Sequence, residues 1–366
     1  MALSITSKPR QSNTTSIGEI QEIEVFRRFD VLSDSSDHHY VNANTTTKHT
    51  GVDCFTNLSS GVHKKIMQEW KILEKHLPDS IFVRVYENRI DLLRAVIVGA
   101  AGTPYHDGLY FFDVAFPSDY PSRPPHVYYR SYGLRINPNL YANGRVCLSL
   151  VNTWPGRKSE KWNPNESTVL QVLVSIQALV LNERPYFNEP GHGMWPGRII
   201  WEKRSNSYNE DVFVLSCKSM LFLQRRPPKN FEGFVAWHFR ERANVILSAC
   251  NAYTSGRARV GYCPTDGSSS SSPIVEVSDK FKGLIAQLYP ELVAAFTRSG
   301  ASRETLIEQL KVERKSASYK GQVVVKKKVK SNSGVARRVL GKLKKVLGLK
   351  KKSGKSSSVK KKTMPS

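Results

Sequence analysis

At 366 residues with 40% hydrophobic content, the chain has room for one large domain or two small ones. Its net charge of +24 is uneven: the last acidic residue is Glu313, and the segment from Arg314 to Ser366 holds 19 of the 55 Lys+Arg, leaving 36 basic against 31 acidic groups before it. The body is therefore near neutral, the strong basicity belonging to the tail, and no apolar run reaches the roughly 18–20 residues of a membrane span. The start MALSITSKPR lacks the apolar block of a signal peptide, so an intracellular, cytoplasmic or nuclear, protein is expected.

Residues 1–60 are rich in Ser, Thr and Asn (SNTTS, SDSSDHH, NANTTT) and read as a disordered N-terminal region with a short apolar patch, IGEIQEIEVF. From Gly61 the pattern changes. HKKIMQEWKILEKHLP spaces Ile66, Trp70, Leu73 and Leu77 as one helix face, and Pro78 ends it. SIFVRVYEN, LLRAVIVGAA, GLYFFDVAF and HVYYRSYG read as four strands. A helix followed by a four-stranded antiparallel meander predicts an α+β fold. Pro121, Pro124 and Pro125 are barred from a central strand and mark the loop between the third and fourth strands.

Further on, Asn143-Gly144 signals a turn. STVLQVLVSIQALVL predicts a buried helix with Ser167 as its N-cap. Two more helices follow in SYNEDVFVLSCKSMLFLQR and PPKNFEGFVAWHFRERANVILSACNAY, separated by Pro227-Pro228, which closes one catalytic-size domain over 61–255. Residues 256–325 read as a linker with short helices, including the SSSSS run and VSDKFKGLIAQLYPELVAAFTR. Residues 326–366 form a basic tail, disordered or amphipathic, with Val335, Val339, Leu343, Val346 and Leu347 near one helical stripe. Three readings of it stay open: a solvated tail, nuclear import or nonspecific nucleic-acid binding through the lysine clusters of 326–362, and peripheral association with an anionic membrane surface.

The five cysteines, Cys54, Cys147, Cys217, Cys250 and Cys263, are scattered and form no C-x-x-C pair, which argues against a zinc site or a disulfide framework. Cys147 stands apart through its surroundings. It lies in INPNLYANGRVCLSL, eight positions after Asn139 and downstream of an Asn-Pro-Asn turn. A nucleophilic thiol needs a nearby donor for the oxyanion formed in acyl transfer, and a turn that carries an Asn side chain can supply one.

FPSDYPSRPP (Phe116 to Pro125), then Asn137-Pro138-Asn139, then Cys147, then Trp162 with Pro164 and an apolar helix together resemble the ubiquitin-conjugating enzymes over about Val62 to Gly193 and on toward Thr254. Asn137 in place of the usual His, and QVLVSIQALVLNERPYFNEPG after it, are similar to the large atypical branch of that family, which includes members that are conjugating enzyme and ligase in one chain. The resemblance implies a ubiquitin-conjugating-enzyme fold and an acyltransferase in which Cys147 takes ubiquitin from an activating enzyme as a thioester and passes it to a substrate lysine. Asn139 is then the oxyanion-stabilising residue or the loop brace. Asn188 and Glu189 fall where the family's gate residue approaches the cysteine. No cofactor or metal is implied on this chain, because ATP and nucleotide binding belong to the activating step upstream. Ubiquitin, the activating enzyme, substrate proteins and a ubiquitin ligase are the implied partners, although Ser122 stands where an aromatic ligase anchor is usual, which leaves ligase-independent transfer open.

The 14 residues between Cys147 and Trp162 exceed those of short family members, so the stretch around TWPGRKSEK is expected to form a flap beside the nucleophile. Lys64 and Lys65 on the first helix are candidates for meeting the activating enzyme, or are plain solvated lysines. Two other functions remain: an inactive scaffold of the same fold, and a basic nucleic-acid-binding protein acting through its tail.

Overall fold

A computed structural model describes residues 26–42, 53–192, 199–262 and 276–302. Strand β1 (Phe29–Leu32) precedes a short helix, α1 (Asp53–Thr56), and helix α2 (Gly61–His76). Helix α2 starts on Ser60, whose side chain accepts from the backbone N–H of Val62 and His63, and it buries Ile66, Glu69 and Leu73. The meander follows as β2 (Ile81–Tyr86), β3 (Leu92–Val98), β4 (Leu109–Ala115) and β5 (His126–Tyr129). Then come α3 (Val169–Ser175), α4 (Ile199–Arg225), α5 (Glu232–Thr254) and α6 (Asp279–Arg298). The α+β expectation holds, with one strand more than the sequence suggested: the sheet runs β1-β2-β3-β4-β5, antiparallel except that β1 joins β2 in parallel.

The two faces of the sheet carry different cores. Side chains alternate along a strand, so Val83 and Val85 of β2, Leu93, Ala95 and Ile97 of β3, and Tyr110, Phe112 and Val114 of β4 share a cluster with α2 and α3. The opposite set, Val96, Leu109 and Phe111, packs against α4, α5 and α6. Every residue of β4 is buried as a result.

On that second face Arg94 of β3 lies directly opposite Asp113 of β4. The guanidinium makes two bonds to the carboxylate, 2.6 and 3.0 Å, and a third, at 2.6 Å, to Asp37. Both Arg94 and Asp113 are fully buried. Charges so placed are tolerable only when paired and hydrogen-bonded. The segment after β1 supplies the missing partners: His38 donates to Leu93 O at 3.0 Å, and His39 stacks on Tyr128 with centroids 3.5 Å apart. Residues 26–42 are thus folded, not part of a disordered N-terminal region. Their stability comes from a nonlocal strand partner and a buried ion cluster, neither visible in local composition.

Two other expectations are corrected. The start of α3 is capped by Thr168, which accepts from Gln171 N, whereas Ser167 accepts from Asn163 N and closes the preceding loop. In place of a linker with short helices, Asp279–Arg298 forms one 20-residue helix whose Phe281, Ile285, Leu288, Leu292 and Phe296 are buried in the second core. The folded unit therefore continues past Thr254. The SSSSS run, Cys263 and the basic tail 326–366 lie outside the described residues, as does nearly all of the IGEIQEIEVF patch. Among the described residues no helix is long and apolar enough to cross a membrane.

Candidate active site

The stretch Ile136–Leu150 is irregular, and side chains hold it in place. Its turn is set by Gly144, at φ +87°, where an added Cβ would fall 2.0 Å from the ring of Tyr128. Only glycine satisfies both the conformation and the close approach. Asn143 accepts from Arg145 N at 3.1 Å, and Gly144 O accepts from Tyr129 N of β5 at 2.8 Å, so the turn is tied to the sheet edge.

From that turn the chain runs back past Asn139. Cys147 N donates to Asn139 O at 2.9 Å, and Asn139 Nδ2 donates to Cys147 O at 2.9 Å. The two residues form a closed ring of two hydrogen bonds. Asn139 N in turn donates to Asn137 Oδ1 at 2.8 Å. Asn137 Nδ2 donates to Tyr105 Oη and to Val180 O, both at 2.7 Å. Val180 ends the π-helical turn Ile176–Val180 that continues α3. Carbonyls at a helix end lack intrahelical partners, and here Asn137 and Asn188, the latter at 3.1 Å, supply them.

The sequence-predicted residues thus meet unevenly. Cys147, Asn139 and Asn137 come together, all 8% exposed or less. Asn188 joins them through its amide, which reaches Asn137 Oδ1 at 3.4 Å and accepts from Asn182 at 2.8 Å; its hydrogen bonds run to the brace and not to the thiol. Glu189 lies beyond, its carboxylate 3.6 Å from Arg135. Tyr105, Asn182 and Thr153 were not singled out from sequence. Tyr105 gives no sequence signal, being remote in the chain, but the Asn182/Asn188 spacing beside a helix end is a signal that could have been read.

Cys147 is 2% exposed. Burial pushes its thiol up, and the charges of Arg145 and Arg135 together with hydrogen bonds from Tyr141 and Arg145 pull it part of the way back. Arg135 sits over the Tyr141 ring at 4.5 Å and Arg145 at 5.9 Å, so two guanidinium groups flank the approach to the sulfur. The other cysteines have other surroundings: Cys217 and Cys250 are in the second core and Cys54 is half-buried.

The flap starts two residues beyond. Thr153 accepts from Leu148 N at 3.0 Å and donates to Val146 O at 2.7 Å, fastening the flap to either side of Cys147. Gly156 lies so close to Ser149 that a Cβ would come within 2.5 Å of Ser149 Oγ. The segment returns at Trp162, whose indole donates to Pro121 O at 2.7 Å. Below it, buried Glu69 accepts from Tyr120 Oη at 2.7 Å and Val169 N at 2.9 Å, joining α2, the Pro-rich loop and the start of α3.

The sequence matches the family profile described as Ubiquitin-conjugating enzyme over residues 65–212. A relative in Arabidopsis thaliana that carries the name ubiquitin-conjugating enzyme E2 38 is 47% identical over 323 residues, which are 87% of this chain and 96% of that one. Another from the same plant, carrying the name E2 23, is 51% identical over 278 residues; the match takes in 75% of this chain but only 24% of that protein's length. A Homo sapiens protein named dual E2 ubiquitin-conjugating enzyme/E3 ubiquitin-protein ligase BIRC6 is 42% identical over 198 residues, 52% of this chain and 4% of that one.

Proposed function

This chain belongs to the ubiquitin-conjugating enzyme family, and from that premise we propose that Cys147 carries ubiquitin as a thioester and hands it to a lysine amine of a substrate protein. The observation that carries the reading is the closed ring between Cys147 and Asn139, which holds one thiol at a fixed place beside an amide donor. In the first step the Cys147 thiol loses its proton and its sulfur attacks the carbonyl carbon of ubiquitin held as an activated acyl group on the activating enzyme, whose leaving group departs with the electron pair and takes up a proton. In the second a neutral lysine amine attacks the thioester carbon, the amide bond forms, the Cys147 sulfur departs with the electron pair, and the amine's proton is released to solvent or a nearby base. Both steps pass through a tetrahedral oxyanion.

An asparagine amide nitrogen has two hydrogens. One of them bonds Cys147 O at 2.9 Å, so the second is the one assigned to the oxyanion. Bracing and oxyanion donation are then both served by Asn139. Asn188 acts on the brace, and Glu189 acts through Arg135.

Transfer without a separate ligase is the finer reading. It is supported by exposed Ser122 in the place of an aromatic anchor and by the dual name of the human relative. The test is a charging assay with ubiquitin, activating enzyme and ATP, run on gels with and without a thiol reductant. A reductant-sensitive adduct that is lost in Cys147→Ala supports the reading, and its absence from folded protein refutes it. Adding a substrate without a ligase then tests the finer step.

A further inference from the structure

Cationic side chains without a described ion-pair partner surround the nucleophile on two sides. On one side stands Arg145, exposed and beside Tyr141. On the other, the flap carries Arg157, Lys158 and Lys161, all exposed. None of these four makes an ion pair with a described residue. Of the nearby carboxylates Glu189 faces Arg135 at 3.6 Å, Glu166 accepts from Asn163 Nδ2 at 2.8 Å, and Glu160, in the flap itself, accepts from Arg157 N at 3.1 Å, so the flap sets three cations against one carboxylate.

The flap is close enough to matter. Gly156 is pressed onto Ser149, two residues after Cys147. That contact and about 3.8 Å between successive Cα atoms put the Cα of Arg157 at most roughly 18 Å from that of Cys147. A peptide that binds with its lysine at the site runs several residues to either side, so its flanking groups can come within about a Debye length, roughly 8–10 Å, of the flap.

We propose that this rim selects acceptor lysines set among acidic residues. Carboxylates flanking the lysine would pair with Arg157, Lys158 and Lys161. The lysine itself would then face Arg135 and Arg145, where positive potential disfavours the ammonium form and raises the share of neutral, attacking amine. An acceptor in a basic stretch meets the same charges as repulsion. The proposal rests on the thioester reading of Cys147 and adds to it the chemical class of acceptor.

The test uses the full chain, first charged with ubiquitin and then separated from ATP. Single-turnover discharge is followed with three peptides of equal length holding one lysine flanked by Glu, Ser or Arg. The expected order is Glu, then Ser, then Arg, with the extremes differing on the order of tenfold at low salt and converging as salt rises. In Arg157→Glu/Lys158→Glu/Lys161→Glu the order should reverse. Equal rates in the unaltered chain, or an unchanged order in the variant, would overturn the proposal. Binding of a labelled Glu-flanked peptide to uncharged protein is measured in parallel. The basic tail is common to both proteins, so it cancels from the comparison. Weaker binding in the variant is expected whether or not Cys147 loads, and equal binding counts against the rim. Failure to load with a clear binding difference would sink the thioester reading alone.

Discussion

Asn139 and Cys147 bind each other twice, amide to carbonyl in both directions, at 2.9 Å each. The candidate nucleophile and its candidate oxyanion donor are thus tied in one hydrogen-bonded ring, and a change in either is felt by both. Asn139→Ala should remove one of the two bonds. The expected cost is about 1–2 kcal/mol of stability, and thioester loading and thioester discharge, which both pass through an oxyanion, should both slow. Single-turnover rates for the two steps, read beside thermal unfolding, check this. Unchanged rates of both steps in a variant that stays folded would assign Asn139 to bracing only.

Asn137 is the junction of the brace. Asn137→Ala strands the buried Asn139 N and removes one bond each from Val180 O, which keeps Asn188, and Tyr105 Oη, which keeps Ile136 O. The buried donor left unpaired and the bonds lost should lower stability by about 2–3 kcal/mol, seen as a fall in Tm of roughly 5–10 °C. An unaltered Tm would contradict the arrangement.

The thiol of Cys147 is pushed up by burial and drawn down by Arg145 and Arg135. Alkylation rates should therefore rise with pH through a midpoint above that of an ordinary cysteine. Arg145→Ala removes a group that stabilises the thiolate, so the midpoint should move higher and reactivity near pH 7.5 should fall. A profile that moves lower in this variant would reverse the sign of the argument.

On the far face of the sheet, Asp113 is held below the ordinary carboxylate range: burial raises it, and the Arg94 hydrogen bonds and charge more than offset that. A depressed carboxyl contributes stability that is present above its unfolded value and lost as pH falls through its folded one. Acid unfolding of the native chain should draw on this group. Asp113→Ala leaves Arg94 buried and short of its main partner, at a cost of about 3–5 kcal/mol. Urea titrations at neutral and acid pH would show a gap between the two proteins that narrows as the pH drops.

The meander was legible because β2 to β5 combine apolar runs with Gly and Pro punctuation, and α2 because Ile66, Leu73 and Leu77 recur at helical spacing before Pro78. Cys147 and Asn139 were legible through their spacing within an ordered set of motifs. Strand β1 was not: FDVL is four residues in a polar stretch, and its stability comes from β2, which lies some fifty positions downstream. Helix α6 read only as short helices in a linker, yet it runs unbroken through Pro290 because its buried face holds it against α4 and α5. The brace shows the same limit. Asn182 and Asn188 are close in sequence, but what they accept and donate depends on where α3 ends, and Tyr105 enters from a loop before β4.

The absence of a histidine at position 137 has a consequence for how acidity reaches the reaction. A histidine brace would change charge between pH 5 and 8, and the loop beneath the sulfur would change its grip with it. The Asn137 amide has no proton to gain or lose in that interval. The amides that brace the loop under Cys147, those of Asn137, Asn139 and Asn188, therefore keep their hydrogen bonds unchanged across that interval.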